Sequence, residues 1–297
     1  MAEPLKLFDL SRLYSPAYIR DVLKIHNLIL KKSLGQNFLF DRNAIEKIIR
    51  TADISSDDVV LEIGPGMGHL TAALLNHARH VVAVEIDQRM VHIIKGLLGN
   101  NPNLSLVQAD ILKVHLAQRF KELGLQPAKL VANVPYYITT PIFLHLLESG
   151  IPFRNATFTV QKELAERFVA EPGSREYRAV SVFIRYWGVP RICGTIPATC
   201  FFPRPHVDSS ILSISMHDIP PVGIPDKPFF FKVVRMAFST RRKKLHNSLA
   251  PLDKEGYPLD AALEQAGIDG TIRPENLALE DFARLTEALI LQAARQI

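Results

Sequence analysis

The chain has 297 residues, 47% of them hydrophobic and 22% charged, with a formal net charge of +5. That composition is globular and excludes a disordered or collagen-like chain, and the length suits two domains, or one large domain with an appendage. No apolar stretch approaches the ~20 residues that span a bilayer, no signal peptide is expected, and the two cysteines, Cys193 and Cys200, read as reduced core thiols of a cytosolic protein.

In chain order, residues 1–30 are amphipathic, with Leu10, Leu13, Ile19, Val22, Leu23 and Ile25 among polar neighbours, and predict one or two short helices. Residues 31–41 form a polar loop with a buried end, and the spacing of Ala44, Ile45, Ile48 and Ile49 predicts a helix over 43–52. Val59 to Ile63 is a short β-branched strand that stops at a glycine loop, followed by a helix from His69 to Asn76. The alternation then repeats: a strand over 80–84 and a helix over 88–98, strands over 104–108 and 129–132, a helix over 140–148, a strand over 156–160 and a helix over 162–170. Further strands are predicted over Val180–Tyr186 and Ile211–Met216. Such apolar β-α alternation predicts a parallel sheet covered on both faces. Pro220 to Pro225 reads as a linker, and every segment after it is predicted helical: 229–238, 241–249, 259–266 and 279–295. The expected domains are therefore 1–217, including an N-terminal helical extension over 1–30, and 218–297.

Ligands of open parallel sheets lie beyond the carboxyl ends of the strands, and four polar signals fall there. Glu62-Ile63-Gly64-Pro65-Gly66-Met67-Gly68 has the spacing G-x-G-x-G, with His69 where a dinucleotide motif would hold its third glycine. Glu85 ends the next strand, where a carboxylate can accept hydrogen bonds from both hydroxyls of a ribose. Asp110 follows the third strand and is placed to accept from an adenine amino group. Each acid alone reads equally as a solvated strand-end group. Together with the glycines they describe a pocket for an adenosine whose tail lacks phosphates, since no Lys or Arg follows the glycines. The fourth signal is Asn133-Val134-Pro135-Tyr136. An amide oxygen and a backbone carbonyl accepting from a nucleobase amine would localise its lone pair, and an aromatic face would stack on the extruded base for ~1–3 kcal/mol. The bland alternative is a polar turn containing proline.

Charge is concentrated in one place. Between Lys227 and Leu252 there are seven cations and no acid, with Arg241, Arg242, Lys243 and Lys244 adjacent. This reads as a nucleic-acid contact surface, or otherwise as a solvated helix face. The ten histidines form no H-E-x-x-H pattern and no cluster with acids, so no metal is expected.

With these residues in place, the chain resembles the S-adenosylmethionine-dependent ribosomal RNA adenine N6,N6-dimethyltransferases, and their small-subunit branch in particular. The resemblance runs from about Lys31 to near the C-terminus and is carried by Leu34–Leu39, Glu62–Gly68, Asn133–Tyr136, Gln161–Glu163, Phe201–Ser209 and Phe238–Leu249. It implies a Rossmann-like α/β sheet domain with a smaller all-helical, RNA-binding C-terminal domain. S-Adenosyl-L-methionine would be held at Asn37, Leu39, Gly64, Glu85, Asp110 and Asn133. The catalytic residues it implies are Asn133, Pro135, Tyr136 and Phe201, the last packing against the target adenine opposite Tyr136; from the residues alone Phe201 reads equally as core. Val134 and Tyr137 depart from the leucine and asparagine the family often has there, leaving Asn133, Pro135 and Tyr136 in place. Asp208 and Glu163 are expected to be structural.

The function expected is N6,N6-dimethylation of adenosines in small-subunit ribosomal RNA, within the subunit or its precursor, by a cytoplasmic monomer that has no membrane contact. In-line displacement at a sulfonium carbon needs chiefly alignment of the two reactants. It dissipates positive charge at sulfur, so it calls for no metal. The alternatives are a large-subunit ribosomal RNA adenine methyltransferase, which the Arg241–Leu249 block argues against, and a non-catalytic nucleic-acid-binding relative. A nucleotide-dependent oxidoreductase is disfavoured by the glycine spacing.

Overall fold

The computed structural model describes residues 12–30, 35–134, 138–240 and 242–295. Pro135, Tyr136 and Arg241 therefore lie outside the described residues. The chain divides into two compact units, one of residues up to Ala165 with Arg191–Met216, the other of Glu166–Pro190 with residues from His217 onward. The division near 217 falls where the Pro-rich linker begins. Residues 166–190, expected in the first domain, group by packing with the second unit instead.

The first unit is built on helix α1 (Pro16–Ile25), strand β1 (Phe38–Leu39), α2 (Arg42–Ala52), β2 (Val59–Ile63), α3 (His69–Leu74), β3 (His80–Glu85), α4 (Gln88–Leu98), β4 (Leu104–Gln108), α5 (Leu116–Leu123), β5 (Lys129–Ala132), α6 (Thr139–Leu147) and β6 (Asn155–Gln161). Helix α7 (Lys162–Val169) and α8 (Ala179–Trp187) follow, then β7 (Gly188–Ile196), β8 (Phe201–Phe202) and β9 (Ser209–Met216). The main sheet has seven strands in the order β4-β3-β2-β5-β6-β9-β7. From β4 to β6 the pairs are parallel, and β9 runs antiparallel to β6. Strand β1 pairs separately with β8.

Local chemistry sets the helix starts. Asp41 caps α2 by accepting from Ala44 N at 2.8 Å, and α2 buries Ala44, Ile45, Ile48, Ile49 and Ala52 along one stripe. Asp87 caps α4 in the same way, accepting from Arg89 N. All five residues of β2 and of its hydrophobic stretch are buried, as a central parallel strand covered on both faces requires. Asp208, expected to be structural, accepts from Ala198 N at 2.9 Å and so ties the turn before β8 to the residues before β9. Cys193 is exposed and Cys200 half-buried, so neither is the core thiol expected.

The second unit continues with α9 (Lys227–Ala237), α10 (Leu245–Leu249), α11 (Pro251–Lys254), α12 (Leu259–Ala266) and α13 (Leu279–Ala294). Two expectations fail here. Val180–Tyr186, predicted as a strand, lies within α8, where Phe183 packs on Phe231 with ring centroids 4.9 Å apart and Tyr186 on the same ring at 6.0 Å. A short run interrupted only by Ser181 and Arg185 fits neither period decisively, and here the aromatic partners on α9 decide for helix. The helix predicted over 241–249 begins only at Leu245. Leu245 N donates to Ile272 O and His246 N to Gly270 O, and Lys244 has an extended backbone. Arg242, Lys243 and Lys244 thus stand exposed on a turn before the helix, not along a helix face.

Candidate active site

Register fixes the site. Ile63 lies level with Val84 on one side and Ala132 on the other, and Glu85 lies level with Gln108. The residues that follow β2, β3, β4 and β5 therefore emerge side by side at the carboxyl edge of the sheet. They border one cleft of about 1080 Å³ including its open mouth, lined among others by Asn37, Leu39, Gly64, Glu85, Asp110 and Asn133. All six residues expected to hold the methyl donor are brought together, within the size range of small-molecule sites.

The glycine loop bends where side chains are disfavoured. Gly64 has φ +68° and Gly66 +58°, and a Cβ at Gly66 would lie 2.9 Å from Phe38 Cδ1. The loop is held by Glu85, whose Oε2 accepts from Gly66 N at 3.1 Å while Oε1 accepts from Asp87 N at 2.8 Å. Burial raises the Glu85 carboxyl above the usual range, the backbone N–H groups of Asp87, Gly66 and Ile86 pull it back, and the Asp87 charge adds to the rise. Each carboxylate oxygen keeps a lone pair for a further donor. Sequence reasoning assigned Glu85 to a ribose; its clamp on the glycine loop was not readable from spacing.

Asp87 organises the other wall. It is buried, pairs with the Arg89 guanidinium at 2.5 Å and accepts from Gln36 Nε2 at 3.0 Å, while Arg89 also donates to Ile29 O. Arg89 holds the Asp87 carboxyl below the usual range. Asn37 donates from Nδ2 to Gly35 O at 3.1 Å. Asp110 accepts from Leu112 N at 3.1 Å, and its carboxylate is 30% exposed, facing the cleft. Asn133 is half-buried at the end of β5, its carbonyl 3.5 Å from where a Cβ of Gly64 would stand. Phe201 is different. Its side chain is 3% exposed, belongs to the core cluster with Leu39 and Ile48, and does not border the cleft. Phe201 pairs with Leu39 across β1 and β8 and is buried in the same cluster, the surroundings that the core reading expects.

Two groups that the sequence placed only as parts of the glycine motif prove to be buried and titratable. Glu62, the first residue of the glycine motif, is 1% exposed, with the Thr71 hydroxyl beside its carboxyl. Burial pushes that carboxyl up to about 8, the Thr71 hydroxyl pulling it back in part and the neighbouring Glu85 charge adding to the rise. His69 borders the cleft at the start of α3, and burial pushes its imidazole down to about 4. Among the described residues no group of three or more His, Cys, Asp or Glu is placed to hold a metal ion.

A cleft at the strand ends of a Rossmann-like sheet, in a chain with a helical C-terminal unit, is the arrangement of S-adenosylmethionine-dependent methyltransferases. The model of the ribosomal RNA adenine dimethylase family matches residues 27–291, and the chain belongs to that family. It is similar to "Ribosomal RNA small subunit methyltransferase A" of Lachnoclostridium phytofermentans, at 43% identity over 92% of this chain and 96% of that one. Among solved structures it is similar to a dimethyladenosine transferase from Plasmodium falciparum, with TM-score 0.70 and 27% identity over 82% of this chain and 94% of that one. It is also similar to the 23S rRNA methyltransferase ErmE, with TM-score 0.62 and 28% identity over 85% and 99% of the respective chains. The chain is thus an enzyme that dimethylates adenine in ribosomal RNA.

Proposed function

We propose that the substrate is small-subunit ribosomal RNA, free or within the subunit or its precursor, and that the cleft holds S-adenosylmethionine with its adenine toward Asp110 and its ribose on Glu85. The observation that supports this is the level register of β2 to β5, which sets Gly64, Glu85, Asp110 and Asn133 around one cleft. The unfilled lone pairs of Glu85 suit two hydroxyl donors, and the glycine loop admits a ligand against the backbone. When bound, the donor supplies an electrophilic methyl on a sulfonium. The protein's part is orientation, which can lower such a barrier by roughly 7–11 kcal/mol.

Asn133 and the Val134 carbonyl accept from the target amine and hold its nitrogen in line, while Tyr136 stacks on the base. Phe201 is given a structural part, supporting Leu39. The turn at Arg242, Lys243 and Lys244, with Arg241, neutralises phosphates and sets register on the RNA without reading sequence. No described helix is long and apolar enough to cross a membrane, and we take the protein to act as a cytoplasmic monomer. Mass mapping of methylated adenosines in ribosomal RNA from cells lacking the protein tests the proposal: loss of dimethyladenosine from the small-subunit RNA is expected. Loss confined to the large-subunit RNA would transfer the activity to that substrate, and no loss would favour a non-catalytic RNA binder.

A further inference from the structure

Strand β7 ends the strand order of the main sheet, so among the described residues its outer edge has no neighbouring strand. From Arg191 onward it belongs to the first unit, and Arg191, Ile192, Cys193 and Thr195 are exposed along it. Gly194 interrupts this run, although its φ lies outside the left-handed region and its backbone does not call for glycine. What glycine supplies there is room. A Cβ at 194 would overlap Nζ and Cε of Lys47, which reaches across from α2 and lays its ammonium on the strand. Helix periodicity puts Asn43 and Arg50 on the same side of α2 as Lys47, and both are exposed.

The acids around these elements are engaged elsewhere. Asp41 caps α2, Asp53 pairs with Lys129, and Asp208 accepts from Ala198 N. Glu46 lies beside Tyr14, with the Arg42 guanidinium over the same ring. Lys47, Arg50 and Arg191 form no ion pair with a described residue. Cations can serve simply to keep a strand edge from pairing with other chains. That task needs only a charged side chain on the strand, and Arg191 already provides it. A glycine that admits a second cation from another element exceeds what a guard requires. We propose that Lys47, seated on Gly194, forms with Arg191 and Arg50 a surface of the first unit that contacts phosphates of ribosomal RNA. It is separate in sequence from the turn at Arg242, Lys243 and Lys244. Such contacts fix position and orientation without reading bases. The chain runs on from β7 to Phe201, whose strand partner Leu39 borders the cleft. The surface is thus continuous in the chain with the support of a cleft wall. The proposal rests on the ribosomal RNA substrate, not on which subunit supplies it.

The test is RNA binding by the full chain over a range of salt concentrations, with the ribosomal RNA that the parent enzyme methylates as the probe. Lys47→Met keeps the aliphatic stem against Gly194 and removes the charge. It is expected to reduce the slope of log affinity against log salt by roughly 0.7–0.9, the share of one phosphate contact. Adding Arg191→Met is expected to double that change. In methylation assays the KM for RNA should rise, with donor affinity and thermal stability as in the parent. Gly194→Ala keeps the charge but pushes the ammonium off its seat, and is expected to raise the same KM. An unaltered slope in folded Lys47→Met overturns the proposal; self-association of that variant would then make the cations guards of the edge. Lost methylation of assembled subunits with an unaltered slope on free RNA overturns it as well, and gives the surface to a protein of the subunit. Parental RNA binding by Gly194→Ala overturns the seat.

Discussion

Replacing Glu85 with Ala removes a carboxylate that the structure gives two simultaneous tasks. Its Oε1 and Oε2 accept from Asp87 N and Gly66 N at 2.8 and 3.1 Å, and the group is 6% exposed. Loss of the ribose acceptor should cost ~1–3 kcal/mol of donor affinity, which is about 5- to 150-fold. Two backbone N–H groups also lose their acceptor, at about 1–3 kcal/mol each if no water replaces it. The relief of a buried charge that burial already penalises offsets part of that. The net expectation is a folded but destabilised variant, with a glycine loop no longer clamped to β3. Glu85→Gln is not a neutral control, because its NH₂ would face one of the two N–H donors. Calorimetry with S-adenosylmethionine, read beside urea denaturation, checks both parts. Unchanged donor affinity in a folded Glu85→Ala protein would refute the assignment, and unchanged stability would refute the clamp.

Gly66→Ala should lower the melting temperature by several degrees, from a left-handed φ costing ~1–2 kcal/mol and a Cβ 2.9 Å from Phe38 Cδ1; thermal unfolding measures it. Glu62, with its carboxyl raised to about 8, binds a proton in the folded state that the unfolded chain releases near the ordinary glutamate value of 4.5. Its contribution is therefore full below about 4.5 and lost as pH rises through about 8, a change on the order of a few kcal/mol. Denaturation curves from pH 5 to 9 should show Glu62→Gln flatter than the parent; parallel curves would contradict the buried carboxyl with its raised pKa. Reversing Arg242, Lys243 and Lys244 to Glu should weaken RNA binding and flatten its salt dependence while leaving donor affinity unchanged, and an unaltered slope would make the turn a solvated surface.

The cleft was legible because its residues sit at strand ends. Gly64, Glu85, Asp110 and Asn133 follow four apolar runs, and parallel register converts that sequence position into a shared place. Residues whose roles arise from long-range pairing were not legible. The Glu85–Gly66 clamp spans 19 positions and the Gln36–Asp87 bond 51, and nothing in local pattern announces either. Phe201 was undecidable from its neighbours until pairing with Leu39 turned it into the core. Val180–Tyr186 misled for a related reason: β-branched and aromatic residues suit a strand or a fully packed helix, and tertiary contacts chose the helix. His69 was read only as the residue that spoils a dinucleotide motif, while its burial and bare Nε2 required the Leu13 segment to be in place.

The central claim is that Asn133 orients the adenine amine for attack on a donor held beside it, and single-turnover methylation of small-subunit RNA by Asn133→Ala at saturating donor addresses it most directly. Asn133 stands at the end of β5 in the wall of the cleft. Removing its amide takes away the acceptor and leaves the turn at Arg242, Lys243 and Lys244 intact. RNA affinity should hold, donor affinity should fall in part, and the rate should drop by orders of magnitude, as lost alignment demands. A near-normal rate with intact RNA binding would contradict the assignment of this loop as the place where methyl transfer occurs.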